Sequence, residues 1–149
     1  MTVSSLDVVG LGNAIVDVIA HAEDSFLEQR GLNKGAMTLV DAEQAETLYA
    51  AMGPGIEASG GSAANTMAGI ASLGGQPAFF GKVSEDQLGA VFAHDIRSIG
   101  VVFEGTPAKE AAPTGRCLIL VTPDAQRTMN TFLGAAAQLG PEDVEENIV

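Results

Sequence analysis

Two stretches of this 149-residue chain place polar side chains where a small molecule could be held. The first is Gly60-Gly61-Ser62-Ala63-Ala64-Asn65, which continues through Thr66-Met67-Ala68-Gly69 to Gly74-Gly75. Glycines ahead of a helix let a backbone approach a ligand closely, because no Cβ stands between them. The helix N-terminus adds unpaired N–H groups and a positive dipole end, and Asn65 lies one turn inside. The same residues also suit an ordinary loop into a helix packed through Ala and Gly. The second stretch is Gly12-Asn13-Ala14-Ile15-Val16-Asp17, with an amide and a carboxylate at the junction of two apolar runs. Such a pair can donate to and accept from paired hydroxyls, as on a sugar. Burying them without partners would cost on the order of a few kcal/mol each. The alternative is that both face solvent in a turn.

Spacing argues against several other chemistries. Gly10-Leu11-Gly12 follows a strand-like run, but Ile15 stands where a dinucleotide fingerprint needs its third glycine. No Gly-Lys-Ser/Thr follows a glycine loop, so there is no P-loop. His21 and His94 lack ligand-spaced neighbours and read as surface or capping residues rather than zinc ligands. Cys117 sits in an apolar run and reads as packing rather than as a nucleophile. The net charge of −12 argues against nucleic acid or an anionic membrane as the main partner and is consistent with solubility. A single cysteine fits a reducing compartment. No apolar run reaches membrane-spanning length, and Met1 to Ser5 carry no basic stretch of the signal-peptide kind. Cytoplasm is the expected location.

The elements that must position these residues follow from hydrophobic period and caps. Apolar residues make up 46% of the chain, which is long enough for one domain with a real core. Strands are predicted at 7–12, 14–20, 37–40, 78–83, 101–104, 116–122 and 128–133. Helices are predicted over 24–29, from an Asp41 cap to Met52, over 62–73, and over 86–99 with a stop at Gly100. Thr122-Pro123-Asp124-Ala125 is the turn between the last two strands. Helices alternating with strands imply a mostly parallel sheet covered by helices. The short runs at 14–20, 37–40, 116–122 and 128–133 break that rhythm and are expected to form a small second sheet. Gly140-Pro141-Glu142-Asp143 starts a helix well, yet the pattern stops at Val149 with no C-cap. The chain is therefore expected to be cut inside an element, as the N-terminal part (1–149) of a single longer domain.

Taken together, these residues resemble the PfkB/ribokinase family of carbohydrate and nucleoside kinases. Residues Gly60 to Asn65, Gly74-Gly75 and Gly81-Lys82-Val83-Ser84-Glu85-Asp86-Gln87-Leu88-Gly89 match its N-terminal signature. Gly12-Asn13-x-x-x-Asp17 is similar to the adenosine kinase branch. So are Phe26-Leu27-Glu28, Gly31-Leu32, Leu39-Val40, Pro113-Thr114-Gly115 and Gln126-Arg127-Thr128-Met129. Met67 stands where a small residue is usual, and Ser84 where a glycine is usual. The resemblance spans the whole chain but only about the N-terminal half of the family's length.

The resemblance implies a ribokinase-like three-layer α/β fold with a β-sheet lid made from the four short runs. It implies that Asn13 and Asp17 grip sugar hydroxyls, that Gly60 and Gly61 bring the backbone against the sugar, and that Asn65 adds a polar contact. Leu39, Met129, Thr131 and Leu133 would face the base or ring, and Arg127 is the candidate for a phosphate contact. The implied reaction is ATP-dependent phosphorylation of the 5′-hydroxyl of adenosine or a related nucleoside. A kinase for a ribose- or fructose-like sugar is one alternative, and a non-catalytic ligand-binding or interaction module is another. Family members carry the catalytic base and anion hole in a Gly-Ala-Gly-Asp segment of the C-terminal half, which is absent here. No catalytic residue is therefore expected in this chain, the ATP and Mg²⁺ sites are expected mainly outside it, and it is expected to be inactive alone. The expected partners are a small nucleoside or sugar and a second copy through the lid.

Overall fold

A computed structural model describes residues 5–105, 107, 108, 110 and 112–144. In chain order they form β1 (Val8–Leu11), β2 (Ile15–His21), α1 (Asp24–Gln29), β3 (Met37–Leu39) and α2 (Ala42–Ala51). Then follow β4 (Ile56–Gly60), α3 (Ser62–Ser72), β5 (Pro77–Phe80), α4 (Gln87–Ser98), β6 (Gly115–Val121) and β7 (Arg127–Phe132). Short 3₁₀ turns cover Gly134–Gln138 and Pro141–Asp143. No helix among the described residues is long and apolar enough to cross a membrane.

The helices begin where the sequence supplies caps. The Asp41 carboxylate accepts from the Gln44 N–H while the Gln44 side chain accepts from the Asp41 N–H, a reciprocal capping box. Asp86 caps α4 through the Gly89 N–H, and Gly100 leaves that helix at φ +99°. Asp86 does more than cap. Its two oxygens also accept from the Thr114 hydroxyl at 2.7 Å and the Thr114 N–H at 2.9 Å, tying α4 to the start of β6. Asp86→Ala is expected to cost about 2 kcal/mol, from a lost cap and an orphaned backbone donor. Urea unfolding measures this, and a change no larger than that of an ordinary surface substitution would refute it.

Two sheets form. Parallel β1 and β5 pair from Val8↔Pro77 to Leu11↔Phe80, the start of the layer that α3 covers. The second sheet has five strands in the order β3-β7-β6-β2-β4, with β2–β6 and β3–β7 parallel and β6–β7 and β2–β4 antiparallel. The four short runs thus share one sheet, and β4 is a fifth strand that the sequence reading left out. Ile56-Glu57-Ala58-Ser59-Gly60 has only one large apolar residue, so its period is weak. Pairing with β2 makes it a strand, and the Asp95 carboxylate on α4 accepts its outward Ser59 N–H at 2.6 Å.

Three other expectations need correction. Residues 101–104 form no ladder; Val102 makes a single bridge to Ala78. The strand expected at 78–83 is Pro77–Phe80, because the chain turns away at Gly81, where a Cβ would strike the Phe79 ring at 2.6 Å. The helix expected after Pro141 is a single 3₁₀ turn as far as it is described, and its continuation at 145–149 lies outside the described residues.

The main core lies between the five-stranded sheet and the helices. Val16, Val18, Leu118 and Leu120 point into it, and Ala45, Leu48, Phe79, Phe92 and Phe103 meet them. Burying a side chain of the size of Leu118 or Phe92 contributes about 1.5–3 kcal/mol. The opposite sheet face carries a separate cluster of Ile15, Cys117 and Ile119, with Met129 and Leu133 packed on it. Alternation along β2, β6 and β7 produces both faces from one set of strands.

Candidate functional site

Three glycines account for how α3 meets the sheets. A Cβ on Gly10 would lie 2.9 Å from the Met67 sulfur, and one on Gly12 would lie 2.7 Å from the Ala63 Cβ. Gly10 and Gly12 therefore make room for α3, and Met67, the departure from the family pattern, fills the space above Gly10. Gly61 is the N-cap of α3 at φ +99°, and a Cβ there would overlap the Asn13 carbonyl oxygen. The Asn65 N–H bonds to the Gly61 carbonyl at 2.8 Å, so Asn65 lies one turn into α3, with an exposed side chain. Ser84, the other departure, is buried; its N–H bonds to the Thr114 hydroxyl and its hydroxyl to the Ala108 carbonyl.

Asp17 and Gly60 also approach each other closely. β2 and β4 pair Ile15 with Gly60 and Asp17 with Ala58. A Cβ on Gly60 would lie 2.5 Å from the Asp17 carboxylate, so only glycine leaves room for that side chain. Asp17 is half-buried and accepts no hydrogen bond from the described residues. Burial pushes its carboxyl pKa up from the ordinary value. A carboxylate held this way has lone pairs free for a ligand's donors.

Register lines up the remaining residues. Leu39 pairs with Thr131, Thr131 with Cys117, and Cys117 with Asp17, forming one row across four strands. Met129 lies two residues along β7 on the same face, and Leu133 packs on that cluster just past the strand end. Leu39 is exposed, and Thr131 is 8% exposed. The structure thus gathers Asp17, Gly60, Leu39, Met129, Thr131 and Leu133 on one sheet face. Asn13 and Gly61 adjoin it at the carboxyl end of β1, the usual end for ligands in parallel α/β sheets. Arg127 is not part of this group. It pairs with Val121, four residues from the Asp17 row, or roughly 13 Å at the usual strand rise.

Cys117 is absent from the expected site yet sits in its centre, between Asp17 and Thr131. The Thr131 hydroxyl donates to its sulfur at 3.2 Å, and burial together with the Asp17 charge raises the thiol pKa. The apolar run around it carried a packing signal, and only strand register puts it beside Asp17. His21 and His94 are exposed, as expected. Among the described residues no group of three or more His, Cys, Asp or Glu is placed to hold a metal ion.

The fold is a ribokinase-like α/β architecture. A model of the pfkB family carbohydrate kinases matches residues 40–149, and the chain belongs to that family. The structure superposes on adenosine kinase from Sinorhizobium meliloti with a TM-score of 0.88 and 58% identity, covering 97% of this chain and 44% of that one. In sequence it is 27% identical to the adenosine kinase of Saccharomyces cerevisiae over 147 residues, 93% of this chain and 43% of that protein. It is also 33% identical to an ATP-dependent ribose-1-phosphate kinase of Halopiger xanaduensis over 90 residues, 60% of this chain and 30% of that protein. The chain therefore spans less than half the length of these relatives.

Proposed function

We propose that this chain is the acceptor-binding part of an ATP-dependent kinase that phosphorylates the 5′-hydroxyl of adenosine or a related nucleoside. The observation that carries this reading is the half-buried, unpartnered Asp17 carboxylate lying over Gly60. A ribose 2′,3′-diol has the two donors that such a carboxylate accepts. Asn13 and Asn65 present amides nearby, and Leu39, Met129 and Leu133 offer apolar cover for a base. The similarity to adenosine kinases supports the same reading. The ribose-1-phosphate kinase relative supports the sugar-kinase alternative, although the face holds few cations for a sugar phosphate.

In this proposal ATP with Mg²⁺ supplies the phosphoryl group, and the present residues position the acceptor. Arg127 reaches a transferring phosphate only if its end of the sheet closes over the acceptor. The chain alone is proposed to be inactive, the protein cytoplasmic, and the exposed sheet face a surface for a second copy. An acceptor panel assayed with the full-length protein tests the assignment, and the 149-residue chain is assayed beside it. Adenosine is expected to turn over fastest, with no turnover by the short chain. Faster turnover of fructose 6-phosphate or ribose 1-phosphate would overturn the nucleoside reading. Turnover by the short chain comparable to the full-length rate would overturn its proposed inactivity.

The raised Asp17 pKa gives this reading a pH signature. Ligand hydroxyls bond to the ionised carboxylate, so acceptor affinity is present above the raised pKa and is lost as pH falls through it. Folding responds the other way: the charge penalises the folded state above that pKa and is relieved as pH falls. The acid limb of kcat/KM should therefore lie above that of an ordinary aspartate and move to lower pH in kcat, where the diol is bound. Asp17→Asn should abolish the limb; an unchanged limb in that variant would assign it to another group.

A further inference from the structure

A cavity of about 300 Å³ lies on the reverse side of the five-stranded sheet, where α2 and the end of α1 meet β7. At it sits Asn130, which is 2% exposed and whose Nδ2 has no hydrogen-bond partner. A buried donor left unpaired is unfavourable and rare in folded proteins, so one lining a cavity marks a place where an acceptor atom belongs. Leu32, Val40 and Leu48 contribute the apolar lining. Arg30 and Glu43 contribute one charge of each sign, so the lining selects no net charge. Arg30 has no ion pair among the described residues, and its guanidinium lies 5.0 Å from the Phe26 ring centroid.

We propose that this cavity binds a small uncharged heterocycle bearing a ring carbonyl. The carbonyl oxygen accepts from Asn130 Nδ2, the ring lies against Leu32, Val40 and Leu48, and ring N–H groups face the Glu43 carboxylate. The volume suits one ring system with its substituents. The site is separate from the face that holds Asp17 and does not depend on the acceptor assignment. The two share β7, however: Asn130 faces the cavity, while its neighbours Met129 and Thr131 face the other way. An occupant would therefore bear on the strand that carries the proposed acceptor contacts.

The test uses the full-length protein, with uracil and 2-pyridone as probes. Each is titrated while the Asn130 side-chain amide is followed by nuclear magnetic resonance. A saturable shift of that amide is expected with at least one probe. Thr47→Arg, an exposed change on α2 at the cavity mouth, should abolish the shift while leaving the melting temperature unchanged. Asn130→Leu removes the unpaired donor and with it the reporting amide, so its binding is measured by titration calorimetry beside the unsubstituted protein; binding should weaken by roughly tenfold or more and the melting temperature should rise. If neither probe shifts the amide up to its solubility limit, the cavity holds water only and the proposal fails. Binding that survives in Thr47→Arg would place the probes elsewhere and overturn it equally.

Discussion

Asp17→Ala in the full-length protein is expected to lower kcat/KM for the acceptor by roughly 10- to 150-fold, the equivalent of a hydrogen bond to a charged group at about 1.5–3 kcal/mol. ATP affinity should stay nearly unchanged, because the carboxylate lies on the sheet face proposed for the acceptor. Stability should move the other way. The folded chain buries half of this carboxylate and gives it no partner, so its removal relieves a desolvation cost and should hold or raise the melting temperature. A purely structural residue would lose stability and affect both substrates alike. Steady-state kinetics with each substrate varied, together with a thermal melt, separate these outcomes. Unchanged acceptor kinetics would remove Asp17 from the site.

Gly61→Ala is expected to be the most damaging glycine substitution on this face. At φ +99° an alanine is strained by about 1–3 kcal/mol before any contact is counted. Its Cβ would also overlap the Asn13 carbonyl oxygen, so either the β1–β2 connection or the start of α3 must shift. Both carry proposed acceptor contacts, Asn13 on one side and Asn65 on the other. The expected result is a large fall in urea-unfolding stability together with weakened acceptor binding. Gly69→Ala is the control: it sits in α3 with nothing within 4 Å of a new Cβ, and should stabilise by about 0.5–1 kcal/mol. If the two variants unfold alike, the strain argument is wrong.

Much of this molecule was legible before folding was considered. Asp41 and Asp86 announce their helices because a cap acts within one turn. The runs at 14–20, 37–40, 116–122 and 128–133 announce strands because alternation is local, and they do share one sheet. That Gly60-Gly61 belongs with Asn13 and Asp17 was implied by the family resemblance; the residues alone left each stretch a bland alternative, because a glycine pair and a polar pair do not name their neighbours. β4 was not legible, since Ile56 to Gly60 has almost no hydrophobic period and becomes a strand only by pairing with β2. Residues 101–104 failed in the opposite sense: Val101, Val102 and Phe103 read as a strand, yet among the described residues only Val102 pairs.

The sequence by itself determined most element types, the caps at Asp41 and Asp86 and the family resemblance, because each is written within a few neighbouring residues. Tertiary structure alone decided that Cys117 stands between Asp17 and Thr131, that Arg127 lies four residues from that row, and that Asn130 faces a cavity without a partner. Those facts depend on strand register, which couples residues scores of positions apart. They also depend on burial, which belongs to the packed chain and to no segment of it.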